Sequence, residues 1–326
     1  MLESVQRLLD FDGCTNPQFS RADGLGRVGV AGFLTGVAFG VHLSLAGCCL
    51  AINGLVLSRL LQWSLYSCSL SFFHFSEFFV TAVFKPDIVS YKSFVLNHSK
   101  EYTGALLASW AEFWLEALLF PELKRQPAVL LAGVLLALVG HWFRVGAMWT
   151  AGSNFNHEIM RRREESHQLV TSGVYRFLRH PSYFGWFWWS LGTQLLLCNP
   201  LCFMMYVVAA SSFFRRRIPY EEELLESFYP EEYPQYARRT YVGIPFVPNR
   251  RSGGGRSASG MGGGIGEGTA LHADGGGAVG AGAGATRNGG GNGRSPPPSA
   301  VASPTNHGNA RRHSRNAESF SEDCGR

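Results

Sequence analysis

Charged side chains are scarce in this chain: Asp, Glu, Lys and Arg make up 16% of its 326 residues, against about 25% in a soluble domain. That shortage excludes an ordinary water-facing surface. The seven cysteines are scattered, with no disulfide or metal-ligand spacing, so reduced thiols are expected. His157, His167 and His180 have no cysteine or carboxylate at ligand spacing, and no metal is expected there. No cleavable signal peptide of the usual form opens the chain, because Arg7, Asp10 and Asp12 interrupt it. Zinc-finger and helix-turn-helix patterns are absent, and a net charge of +5 suits anionic lipid head groups better than nucleic acid. The glycine clusters near the carboxyl end are not a phosphate loop, since no GKS or GKT follows them.

What the chain has is apolar length. Six runs stand out: Val28–Leu50, Leu60–Phe84, Tyr102–Phe120, Pro127–Thr150, Ser182–Leu197 and Leu201–Phe214. A bilayer core asks for ~20 apolar residues in helical form, and only helices or closed barrels satisfy their backbone in lipid. The first four runs reach that length. The last two are shorter and meet at Asn199-Pro200, a turn-forming pair, so they read as a tight helical hairpin whose second arm is a marginal span. The fold class expected is all-α, a multi-pass membrane protein of about six transmembrane helices.

Cationic residues orient it. Lys85, Lys92 and Lys100, then Arg161–Arg163, Arg176 and Arg179, then Arg215–Arg217 fall on one side. Arg59, Lys124 and Arg125 fall on the other. By the positive-inside rule both termini face the cytosol. The sequon Asn97-His98-Ser99 then lies in an inner loop and should stay bare. Residues 249–326, rich in glycine, serine and proline, cannot bury enough apolar surface to offset chain entropy and are expected to be disordered.

The chemistry lies on the cytosolic side. His167–Tyr183 reads HQLVTSGVYRFLRHPSY. Gly173 and Pro181 interrupt helical continuation, so a shaped loop should lead into a helix start near Ser182 and Tyr183, where free N–H groups suit an anionic ligand. Beyond the hairpin, Arg217 and Glu221 are four apart and share a face on a helix, although Pro219 between them argues for a helix restarting there. The two blocks flank the hairpin and can meet at one membrane-edge pocket. Glu112, Glu116 and the His74/Glu77 pair read as packing contacts inside the spans. Arg144, near the cytosolic end of the fourth run, should act beside the site. Trp186–Trp189 reads as an interfacial anchor.

These pieces resemble the isoprenylcysteine carboxyl methyltransferase family. The resemblance rests on Ser153–His157 (SNFNH), His167–Tyr175 (HQLVTSGVY), Arg179–Pro200 (RHPSYFGWFWWSLGTQLLLCNP) and Phe213–Leu225 (FFRRRIPYEEELL). It extends upstream through Ser69–Phe84 and Leu96–Glu116, and covers roughly residues 60–248. RHPSY alone is shared with related membrane methyltransferases and sterol reductases; the ordered set is far more specific. An amino-terminal part shorter than in some relatives suggests the six-span form.

The resemblance implies transfer of a methyl group from S-adenosylmethionine to the carboxylate of a carboxyl-terminal prenylated cysteine. Partners would be processed CaaX proteins such as small GTPases, in the endoplasmic reticulum membrane with the site facing the cytosol. Cofactor-binding positions fall on Met160, His167, Gln168, Leu169, Val170, Tyr175, His180, Pro181, Ser182, Tyr183 and Glu221, and the substrate-engaging, catalytic arginine on Arg217; Arg144, from its place in the span rather than from the resemblance, is expected to act beside it as a second catalytic residue. The implied domains are a cytosolic segment 1–27, a membrane methyltransferase domain 28–248 with its catalytic core at about 150–248, and the tail. A phospholipid N-methyltransferase, a sterol reductase or a non-catalytic membrane scaffold are the alternatives. A carboxylate has a reference pKa near ~4 and needs no general base at neutral pH, so positioning should dominate catalysis.

Overall fold

A computed structural model describes residues 24–53, 59–96, 99–163 and 167–249. The amino-terminal residues 1–23, the sequon positions Asn97 and His98, and the carboxyl-terminal tail from Arg250 lie outside the described residues, and so do the expectations attached to them. The protein is an all-helical multi-pass membrane protein. Its helices are α1 (Leu25–Asn53), α2 (Arg59–Phe84), α3 (Lys100–Leu119), α4 (Pro127–Ala151), α5 (Pro181–Leu196), α6 (Pro200–Phe228) and α7 (Glu232–Arg239). Three stretches are long and apolar enough to cross a membrane by length and composition: Leu25–Ile52, Arg59–Phe84 and Pro127–Asn154. The third apolar run, α3, is not among them. Glu112 and Glu116 lower its hydropathy, so the expectation of four full-length runs holds for three.

Helices α4 and α5 touch backbone to backbone. A Cβ at Gly140 would sit 2.3 Å from the Trp189 main-chain nitrogen, and one at Gly185 would sit 2.4 Å from that of Arg144. Gly133 and Gly192 repeat the contact toward the other end, each 2.5 Å from a neighbouring main-chain nitrogen. Without side chains in the way, the two helices gain close van der Waals packing, the main attraction between helices in lipid. Trp189 lies on this interface rather than at the membrane surface: its ring stacks on Phe73 at 3.9 Å, and its indole N–H donates to Ser69 Oγ at 3.1 Å.

The α5–α6 hairpin forms where Asn199-Pro200 predicted it, with Cys198 at positive φ in the turn. It is fixed from within. Lys124 is 1% exposed, and its ammonium donates to Leu197 O, Cys198 O, Asn199 Oδ1 and Glu116 Oε2 at 2.7–3.0 Å. Lys124 is therefore an internal staple and not a solvated loop charge. Glu112 accepts from the Leu201 and Cys202 N–H groups, both at 2.7 Å, and so caps α6. Both glutamates are packing groups, as expected.

Helix α6 runs unbroken from Pro200 to Phe228 with Pro219 inside it, which corrects the expected restart. An interior proline costs about 3 kcal/mol, but Ile218 and Glu222 on either side are buried, and Arg215, whose carbonyl loses its partner, is exposed. After α7 the chain returns to the loop before α5. Arg179 N–H donates to Tyr241 O at 3.0 Å and Tyr241 N–H to Phe177 O at 3.1 Å. Val242, Ile244 and Val247 join Phe187, Leu191, Phe214 and Ile218 in one core.

Candidate active site

The site begins where α4 ends. Gly152, at positive φ, ends the helix, and Asn154 then organises the loop: its carbonyl O lies 3.1 Å from His167 Nε2 and its Oδ1 accepts from Gln168 N–H at 3.2 Å. Tyrosines hold the loop from the far side. Tyr229 donates to His167 O at 2.9 Å and Tyr236 to Tyr175 O at 2.8 Å. Gly173, also at positive φ, passes so close to Thr150 that a Cβ would lie 2.8 Å from its Oγ1. His167–Tyr175 is thus the shaped loop the sequence predicts, and α5 starts at Pro181.

Arg144 projects from α4 into a buried ion pair. Its Nε and Nη2 donate to the two oxygens of Glu77 at 2.7 and 2.8 Å, and Nη1 donates to Ser182 Oγ at 2.6 Å. Glu77 is wholly buried on α2, and His157 Nε2 lies 3.8 Å from it. His74 points elsewhere, its ring contacting Phe94 O and the Tyr102 hydroxyl. The expected His74/Glu77 contact thus gives way to Glu77/Arg144, because an arginine fork satisfies both carboxylate oxygens.

From α6, Arg217 donates through Nε to the Tyr183 hydroxyl and through Nη2 to His157 O, both at 2.9 Å. Its guanidinium carbon lies 5.5 Å from the Tyr183 ring centroid, and the His180 ring stacks parallel to that ring at 5.5 Å. One turn on, Glu221 Oε2 lies 3.8 Å from His180 Nδ1. Glu222, the next residue, accepts from Arg179 Nε at 2.5 Å and lies 3.2 Å from His180 Nε2. Burial pushes the Glu222 carboxyl up, but its His180 and Arg179 partners outweigh that and hold it below the ordinary carboxylate range.

These groups border a cavity with about 870 Å³ of space free of protein atoms, its open mouth included. Met160, His167, Gln168, Leu169, Val170, Tyr175, His180 and Glu221 all line it. Pro181 and Ser182 do not; they are buried at the start of α5. Tyr183 and Arg217 stand beside the cavity, joined to each other, and Arg144 stands behind Ser182. Sequence reasoning missed Arg179 and three lining tyrosines, Tyr229, Tyr233 and Tyr236. A signal was there: tyrosines spaced by four and three, the spacing of one helical face.

The sequence pattern of the isoprenylcysteine carboxyl methyltransferase family matches residues 133–227. Protein-S-isoprenylcysteine O-methyltransferase of Saccharomyces cerevisiae is 40% identical over 195 residues, 58% of this chain and 82% of that protein. The Dictyostelium discoideum enzyme is 41% identical over 185 residues, 57% of this chain and 78% of that one. The chain belongs to the isoprenylcysteine carboxyl methyltransferase family. The human enzyme is 51% identical over 182 residues, 56% of this chain, and the match spans 64% of that protein's length. A solved structure of the eukaryotic intramembrane Ras methyltransferase of this family aligns with a TM-score of 0.59 at 42% identity, over 64% of this chain and 74% of that one.

The residues present fit the methyl donor that the family implies. Glu221 Oε2 is buried with no hydrogen-bond partner among the described residues, and Tyr175, Tyr229, Tyr233 and Tyr236 line the same cavity. An acceptor of negative charge in an aromatic setting suits a sulfonium or ammonium ligand.

Proposed function

We propose that the protein methylates the carboxyl-terminal carboxylate of prenylated cysteine in processed CaaX proteins, using S-adenosylmethionine, at the cytosolic face of the endoplasmic reticulum membrane. One observation carries the reading: Arg217 is held by Tyr183 and His157 at the edge of a cavity that presents Glu221 and His180. Family membership points the same way.

In this reading His167–Val170, Met160, Tyr175, His180 and Glu221 hold the donor, and residues 150–248 form the catalytic core. S-adenosylmethionine supplies an electrophilic methyl on sulfur. Arg217 takes one oxygen of the substrate carboxylate and leaves the other free to attack, since a carboxylate clamped through both oxygens would be a poorer nucleophile. No side chain needs to accept a proton. Tyr183 holds Arg217 beside the site, Pro181 and Ser182 lie buried at the start of α5 behind it, and Arg144, with its donors on Glu77 and Ser182, is a positioning residue. Holding two reactants in line is worth up to ~7–11 kcal/mol. The prenyl chain partitions into lipid at ~0.8 kcal/mol per buried CH₂, which accounts for a site at a membrane edge.

The test is transfer of labelled methyl from S-adenosylmethionine to N-acetyl-farnesylcysteine and its geranylgeranyl analogue by purified protein. Base-labile label on these acceptors is the expected result. Label on phosphatidylethanolamine instead, or sterol reduction with NADPH, would reject the assignment.

A further inference from the structure

Tyr233 has no part in the reading above, yet it lines the same cavity as Glu221. Its side chain is 1% exposed and packs with Tyr229, Tyr236 and Ala237. Its two tyrosine neighbours use their hydroxyls inside the protein, on His167 O and Tyr175 O. The Tyr233 hydroxyl, also buried, has no hydrogen-bond partner among the described residues. A buried hydroxyl without a partner carries a desolvation penalty that phenylalanine would avoid. Burial, reinforced by the nearby Glu222 and Glu221 carboxylates, pushes the phenol well above its ordinary range, so the oxygen keeps its proton at working pH and remains a donor.

Resting on the reading of this cavity as the S-adenosylmethionine site, we propose that the Tyr233 hydroxyl is a ligand-binding group that hydrogen-bonds a polar group of the bound S-adenosyl compound beside Glu221. It is stranded in the protein alone because its partner belongs to the ligand. Tyr229 and Tyr236 shape the loop; Tyr233 reads what the loop encloses.

The experiment compares wild type, Tyr233→Phe and Tyr236→Phe as full-length protein in detergent. Thermal unfolding is recorded without ligand, and S-adenosylhomocysteine binding is measured by calorimetry. Tyr233→Phe is expected to keep or raise the ligand-free Tm while binding about five- to tenfold more weakly, the worth of one hydrogen bond. Tyr236→Phe, which frees the Tyr175 and Leu178 carbonyls, is expected to lower the ligand-free Tm. Wild-type affinity in Tyr233→Phe overturns the proposal. A ligand-free Tm lowered as far as in Tyr236→Phe also overturns it, since the hydroxyl would then serve the fold. Failure of the wild type to bind any S-adenosyl compound overturns the functional reading itself and is seen before any variant is compared.

Discussion

Glu77 organises a site it does not line. It pins Arg144, Arg144 holds Ser182 at the start of α5, and His157 stands between this pair and Arg217. Removing one partner of a buried ion pair leaves an uncompensated charge and costs about 3–5 kcal/mol. Glu77→Gln should therefore lower the Tm in detergent, a loss that a thermal melt measures directly. At the cavity, Arg217→Ala should abolish methyl transfer while cofactor affinity falls only modestly, and Glu221→Ala should weaken cofactor binding; unchanged kinetics in both would refute their roles. Glu222 sets a pH dependence. Its folded pKa is depressed, so its stabilising share is complete above the ordinary carboxylate range and is lost as pH falls through the folded value. Acid unfolding profiles of wild type and Glu222→Gln should diverge near neutrality and converge at low pH. The cavity-lining residues of HQLV and HPSY were legible because they sit together in the chain. Glu77 was not, because its partner is 67 residues away and local spacing offered only His74.

Among elements, the α4–α5 contact does most to set the geometry. Gly140 faces Gly185, while Gly133 faces Leu196 and Gly192 faces Ala137, a pattern visible in the sequence but without meaning until the helices are paired. Gly140→Leu drives a side chain into the Trp189 backbone. Overpacking of this kind costs about 1–3 kcal/mol or more, and it should also separate Arg144 from Ser182 and lower kcat, as a paired melt and turnover assay would record. Pro219→Ala should leave α6 intact and stability unchanged or slightly raised, since the helix already passes through that position. The apolar runs located five helices to within a few residues, and the start of the sixth. They stopped at Phe214, however, because the second half of α6 is polar and is held by the burial of Ile218 and Glu222 rather than by lipid.

For the whole molecule, described structure runs to Asn249, which accepts from Arg179 at 2.6 Å and from Val242 N–H at 3.3 Å. Asn249→Ala, which removes both bonds, should lower the Tm in detergent, as a thermal melt would record. The membrane character was plain from the scarcity of charge, and the family from motifs in order. The return of residues 240–247 onto the core was not, because it depends on one short backbone pairing with no periodic signal. Helices α4 and α5, by contrast, leave no seam between them. On the proposed function, a substrate's prenyl chain would have to enter along some other flank, and a compound meant to wedge this pair apart would find no gap at these glycines.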